Sequence, residues 1–141
     1  MLIALNISFL TNPIDAGEEM TEPLTRGSSL RIDSDQDLID TASANGWSGN
    51  GAIMDPFIIE DLNMSGNTGG ACLYLGNTTL HVIIRNCTFA RSGFVAETYG
   101  EGTGITVFSA SNVTIMGCNA SYCVIGFQMI GSNDVNISDS D

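Results

Sequence analysis

Three stretches of this chain align with one another: LYLGNTTLHVIIRNCT (Leu73–Thr88), ITVFSASNVTIMGCN (Ile105–Asn119) and FQMIGSNDVNISDSD (Phe127–Asp141). Val82, Val113 and Val135 correspond, as do Ile84, Ile115 and Ile137, and then Cys87, Cys118 and Ser140. The second and third copies are offset by 22 residues, the first and second by 31. The excess sits in a Gly-rich insertion, ARSGFVAETYGEG. An earlier copy shows in PFIIEDLN, where Ile59 matches Ile84 at a step of 25. Each copy alternates apolar and polar residues over four to five positions, the period of a half-buried strand.

Three inward sets recur. Leu73/Leu75, Ile105/Val107 and Phe127/Met129 form one. Val82/Ile84, Val113/Ile115 and Val135/Ile137 form another. Cys87/Phe89 and Cys118/Ala120 begin a third. Three short strands per repeat of about 22 residues predict an all-β fold, a right-handed parallel β-helix whose coils stack about 4.8 Å apart. Between the second and third strands stand Asp61, Asn86, Gly117 and Asp139. All are residues that tolerate the left-handed αL conformation, so a sharp corner is expected there on every coil.

Working outward, residues 30–56 read as a start cap. LRI at 30–32 is a first strand. Ser34 N-caps a helix through DQDLIDTASA, with Leu38, Ile39 and Ala42 on one face, and Asn45-Gly46 ends it. Residues 57–141 are the coils, and residue 141 falls mid-coil, so the chain is expected to be the N-terminal piece of a longer β-helix or a truncated gene product. Residues 1–29 read as a leader or linker. The apolar MLIALNISFL is too short to span a membrane, which takes about 20 residues. It reads as a strand or arm, or as the tail of an export signal.

The 141 residues carry 16 acids against four bases, all arginine, for a net charge of −12. With no lysine, a phosphate-binding Gly-Lys-Ser/Thr loop and Schiff-base chemistry are excluded. Four scattered arginines give no nucleic-acid face. The 43% hydrophobic content excludes a disordered acidic chain. The acids concentrate in the leader, cap and insertion, while the coils are built on Asn, Ser, Thr and Gly.

Three segments carry a resemblance: LRIDSDQDLIDTASANGWSGNGAIMDPFIIEDLNMSG (30–66), CLYLGNTTLHVIIRNCTF (72–89) and GITVFSASNVTIMGCNAS (104–121). Gly-Trp, Gly-x-Gly and Asp-Pro-Phe-x-Ile-Glu, leading into repeated Asn-x-Thr-Ile coils, resemble the NosD-like right-handed β-helix domains of archaeal surface and secreted proteins. That group overlaps the pectin lyase-like class shared by carbohydrate-binding proteins and sugar hydrolases. The resemblance implies the fold, an extracellular or cell-surface location, and a polysaccharide or cell-surface glycan as partner. It leaves the activity open, because the fold hosts lyases, hydrolases, epimerases and scaffolds. Calcium, held by acids in β-helix lyases, is the one cofactor it leaves open. The copper-delivery role of the founding member does not carry over, since copper wants His, Met or Cys clusters and this chain has one histidine.

Candidate chemistry is sparse. Cys87 and Cys118 share an inward column, either as a buried ladder of small residues or as a disulfide between coils. Four cysteines at these spacings do not suit zinc. His81 shares a column with Asn112 and Asp134 just before a strand, the place of a turn residue. Asp139/Asp141 and Asp33/Asp35/Asp37 are the carboxylate clusters, but the first includes a corner residue and the second fits a helix start. Seven Asn-x-Ser/Thr tripeptides exceed what the composition predicts. Asn63, Asn77, Asn119 and Asn136 are the glycan acceptors singled out, although Asn-rich turns beside Thr-rich strands also produce the tripeptide. The insertion, with Phe94, Glu97, Tyr99 and Glu101, is the candidate specialised surface; its aromatic and acidic residues suit saccharide stacking and hydrogen bonding, and they equally suit a loop that packs on itself. The expected function is a non-catalytic extracellular module for adhesion or saccharide contact. A polysaccharide-active enzyme with its site in later coils is the competing expectation, and a copper-maturation protein a third.

Overall fold

The computed structural model describes residues 29–65, 70–90 and 102–141. Eleven strands and one helix follow in order: β1 (Leu30–Ile32), α1 (Asp35–Asn45), β2 (Phe57–Glu60), β3 (Asn63–Ser65), β4 (Leu73–Gly76), β5 (Val82–Arg85), β6 (Thr88–Ala90), β7 (Thr103–Phe108), β8 (Ser111–Met116), β9 (Asn119–Ser121), β10 (Ile125–Ile130) and β11 (Asn133–Ser138). They form three sheets, ordered β1-β4-β7-β10, β2-β5-β8-β11 and β3-β6-β9. Every pairing within the sheets is parallel. The chain visits the first, second and third sheet in turn and then begins again one level up, an arrangement compatible with a parallel β-helix.

The register follows the repeat. Ile59 pairs with Ile84, Ile84 with Ile115, and Ile115 with Ile137. Leu73 pairs with Ile105, and Ile105 with Phe127. Period-2 alternation therefore stacks apolar side chains into inward columns. Ile59, Leu73, Leu75, Val82, Ile84, Phe89, Ile105, Val107, Val113 and Ile115 have no exposed surface. Each fully buried side chain of this size contributes about 1.5–3 kcal/mol. On the last described level the columns continue with Phe127, Met129, Val135 and Ile137, of which Met129 is 40% exposed and Ile137 36%.

The corners explain the choice of small polar residues. Asp61, Asn86, Gly117 and Asp139 have φ of 59°, 54°, 61° and 49°, so the expected αL column is present on four levels. A second column turns the chain between the first and second sheets: Asn77, Ser109 and Gly131, at 51°, 48° and 58°. Asn112 and Asp134 also have positive φ, whereas His81 in the same column does not.

At the start, Ser34 N-caps α1, its hydroxyl accepting from the Asp37 amide at 3.0 Å. Asp35 and Asp37 stand in the first turn, where the helix dipole favours acids. Gly46 closes the helix in αL, its amide bonded to the last carbonyls. Leu38 and Ala42 are buried as expected, but Ile39 is 42% exposed. Consecutive helical residues point about 100° apart, so Ile39 lies off the face shared by an i, i+4 pair. The Gly-x-Gly that follows has a steric reason: a Cβ on Gly49 would lie 1.9 Å from the Pro56 carbonyl oxygen.

Candidate corner groove

The second and third sheets meet at the Asp61–Asn86–Gly117–Asp139 corner. A solvent-open groove of about 380 Å³ runs along it, lined by Glu60, Arg85, Asn86, Met116, Gly117 and Asp139. That volume lies in the range of small-ligand sites. Glu60, Arg85 and Met116 are the outward ends of β2, β5 and β8, paired level to level. The other three are the corner residues one position later.

Gly117 lines the groove. Its φ of 61° favours glycine, and a Cβ there would stand 3.0 Å from the Asn86 amide oxygen. Gly117 thus carries no side chain between Asn86 and Asp139, and the Asn86 amide crowds the space a Cβ would take. Corner amides are spent on the stack: Asn86 N donates to Met116 O at 3.1 Å, and Gly117 N to Ser138 O at 3.1 Å. The side chains are left to face outward. Arg85 Nε donates to Glu60 Oε2 at 2.7 Å, and both side chains are roughly two-fifths exposed. The carboxylate beside it holds the guanidinium above its ordinary pKa, so Arg85 is a fixed cation. The groove thus offers carboxylate acceptors, an amide, a guanidinium and the apolar face of Met116, which is 38% exposed.

The carboxylates of the start cap serve a different purpose. Asp35 Oδ1 accepts from Thr78 Oγ1 at 2.6 Å and from Thr79 N at 2.8 Å, and its Oδ2 accepts from Thr79 Oγ1 at 3.0 Å. Partial burial opposes ionisation, but these hydrogen bonds outweigh it and hold the carboxyl below the usual aspartate range. Asp33 Oδ1 accepts from Asn77 Nδ2 at 2.7 Å, and Asp33 Oδ2 from Arg31 at 2.7 Å. Asp37 accepts from the Asp33 amide. The Asp33/Asp35/Asp37 cluster clips α1 to the next level.

Phe94, Glu97, Tyr99 and Glu101 lie outside the described residues. Asn63, Asn119 and Asn136 are exposed on strands, while Asn77 is exposed at an αL corner with its amide nitrogen committed to Asp33. Cys87 and Cys118 are buried free thiols on adjacent levels. His81 joins the levels through its backbone, donating to Gly51 O and accepting from Phe57 N at 2.9 Å each. Asp139 lines the groove, and Asp141 N bonds Cys118 O. Among the described residues no three His, Cys, Asp or Glu side chains gather closely enough to hold a metal ion. No described helix is long and apolar enough to cross a membrane.

The groove was legible in part. Matching Ile59 with Ile84 places Glu60 beside Arg85, and the corner column names three of its six residues. No protein-family model, curated protein or solved structure matches the chain.

Proposed function

We propose that the chain is a non-catalytic module of a right-handed parallel β-helix, carried by an extracellular or cell-surface protein, that contacts saccharide through the corner groove. The observation that carries this reading is the groove's composition. Glu60 and Asp139 are acceptors for sugar hydroxyls, Asn86 and Arg85 are donors, and Met116 is an apolar floor for a ring face. The net charge of −12 disfavours uronate-rich or sulfated polymers, so a neutral saccharide is the partner class.

Support for the fold comes from three parallel sheets visited in turn, with equivalent residues in register. The resemblance of the start cap and coils to NosD-like domains agrees with it. Support for a binding role rather than hydrolysis comes from spacing. Glu60 and Asp139 stand three levels apart, about 14 Å at the usual strand separation. Paired carboxylates that hydrolyse glycosides lie about 5–9.5 Å apart. Glycans on Asn63, Asn119 and Asn136 suit such a surface, because these side chains are exposed on strands.

A glycan array of neutral, amino-sugar and uronate oligosaccharides tests the partner class. Retention of neutral members that weakens in Arg85→Ala is expected. Retention of none, or of uronates alone, would overturn the reading. Release of reducing ends from any member would replace the binding module with an enzyme.

A further inference from the structure

Cys87 and Cys118 occupy one column on adjacent levels. Thr88 pairs with Asn119, and Asn119 N donates to Cys87 O at 2.9 Å, which places the two cysteines directly opposite one another. The column continues as Leu62 below and Ser140 above, where the Cys118 amide bonds the Ser140 hydroxyl at 3.1 Å. Both thiols are almost fully buried, at 1% and 2% exposure.

The two side chains are disposed alike, each sulfur lying near the carbonyl two residues before it, Met116 O at 3.6 Å for Cys118 and Arg85 O at 3.3 Å for Cys87. Cys118 Sγ lies 3.6 Å from Ile84 O, so it reaches down to the level that holds Cys87. Cys87 Sγ reaches down in turn, 3.8 Å from Ile59 O and 3.3 Å from Arg85 O. Neighbouring parallel strands lie about 4.8 Å apart, inside the window of about 4.4–6.8 Å that disulfides span between Cα atoms.

We propose that Cys87 and Cys118 are a redox pair that closes to a disulfide between two coils. One thiolate of the pair attacks one sulfur of a small-molecule disulfide, whose S–S bond breaks and releases one small thiol. The other thiolate then attacks the protein sulfur of this mixed disulfide and expels the second small thiol. The protein loses two hydrogens, and the oxidant is reduced to two thiols.

Closure ties Cys87 to Cys118 across the whole insertion, a long loop whose constraint stabilises the folded chain. The pair depends only on the coil stack and is independent of the saccharide reading.

Wild-type protein is incubated with oxidised glutathione, denatured in the presence of an alkylating reagent, digested and mapped by mass spectrometry. The expected result is one linked peptide joining Cys87 to Cys118, with Cys72 and Cys123 alkylated and a melting temperature several degrees above that of the reduced form. Recovery of Cys87 and Cys118 as two alkylated peptides would overturn the proposal, and so would a link from either one to Cys72 or Cys123. Because the native chain is used throughout, loss of folding in a variant cannot obscure the answer.

Discussion

Thr78 Oγ1 donates to Asp35 Oδ1 at 2.6 Å, which joins the capping helix to a corner 43 residues further along the chain. Thr78 has no exposed surface, so its hydroxyl depends on that carboxylate. Asp35→Ala removes an acceptor of three hydrogen bonds and leaves a buried donor without a partner. The expected cost is about 1–3 kcal/mol, read by urea denaturation. Asp40→Ala, which loses only the exposed bond from Gln36, is expected to change stability far less.

The same clip fixes a pH dependence. The Asp35 pKa is depressed in the folded chain, so its contribution is complete above the ordinary aspartate value, about 3.9. It is lost as pH falls through the lowered folded value. The stability gap between wild type and Asp35→Asn is therefore expected to be largest near neutrality and to shrink over about pH 5 to pH 2. A gap that stays constant across acid titration would contradict the assignment.

Core position along the stack sets a second contrast. Ile84→Ala and Ile115→Ala empty sites with no exposure and are expected to cost about 2–5 kcal/mol each. Ile137 lies in the same column but is 36% exposed, so Ile137→Ala is expected to cost clearly less. Chemical denaturation of the three variants measures the gradient.

Corner conformation gives a third test. Asn86 sits at φ 54°, where a Cβ-branched residue clashes with its own carbonyl. Asn86→Val is expected to destabilise by about 1–3 kcal/mol, whereas Asp139→Gly at the equivalent corner is expected to be neutral or stabilising. A thermal melt that ranks them in the opposite order would remove strain as the reason for this column.

These residues also show how far the sequence could be read. The inward columns were legible because one side chain in two must be apolar on every level, so Ile59, Ile84, Ile115 and Ile137 reveal the register directly. The Asp61 corner was legible because its four members are Asp, Asn and Gly. The corner through Asn77 was not, because Ser109 holds αL geometry without being a residue that prefers it. Ile39 misled because apolar character does not give direction on a helix. The Asp35–Thr78 clip leaves no local signal, since its partners meet only after the coil closes. Phe94, Glu97, Tyr99 and Glu101 stand out in the sequence by their aromatic and acidic character, whereas the groove is inconspicuous because one of its members, Gly117, has no side chain.

Arg85 separates binding from stability. Its pairing with Glu60 is exposed, and exposed pairs contribute little to folding. Arg85→Ala is expected to melt within a degree or two of wild type while losing most of its saccharide retention. Equal losses in both would assign Arg85 to the fold rather than to the groove.

The most direct test is an NMR titration of the isotope-labelled chain with the neutral oligosaccharide best retained on the array. The account predicts amide shift changes concentrated at Arg85, Asn86, Met116, Gly117 and Asp139, with the sheet formed by β1, β4, β7 and β10 unmoved. Changes centred on that sheet, or no changes at millimolar ligand, would contradict it.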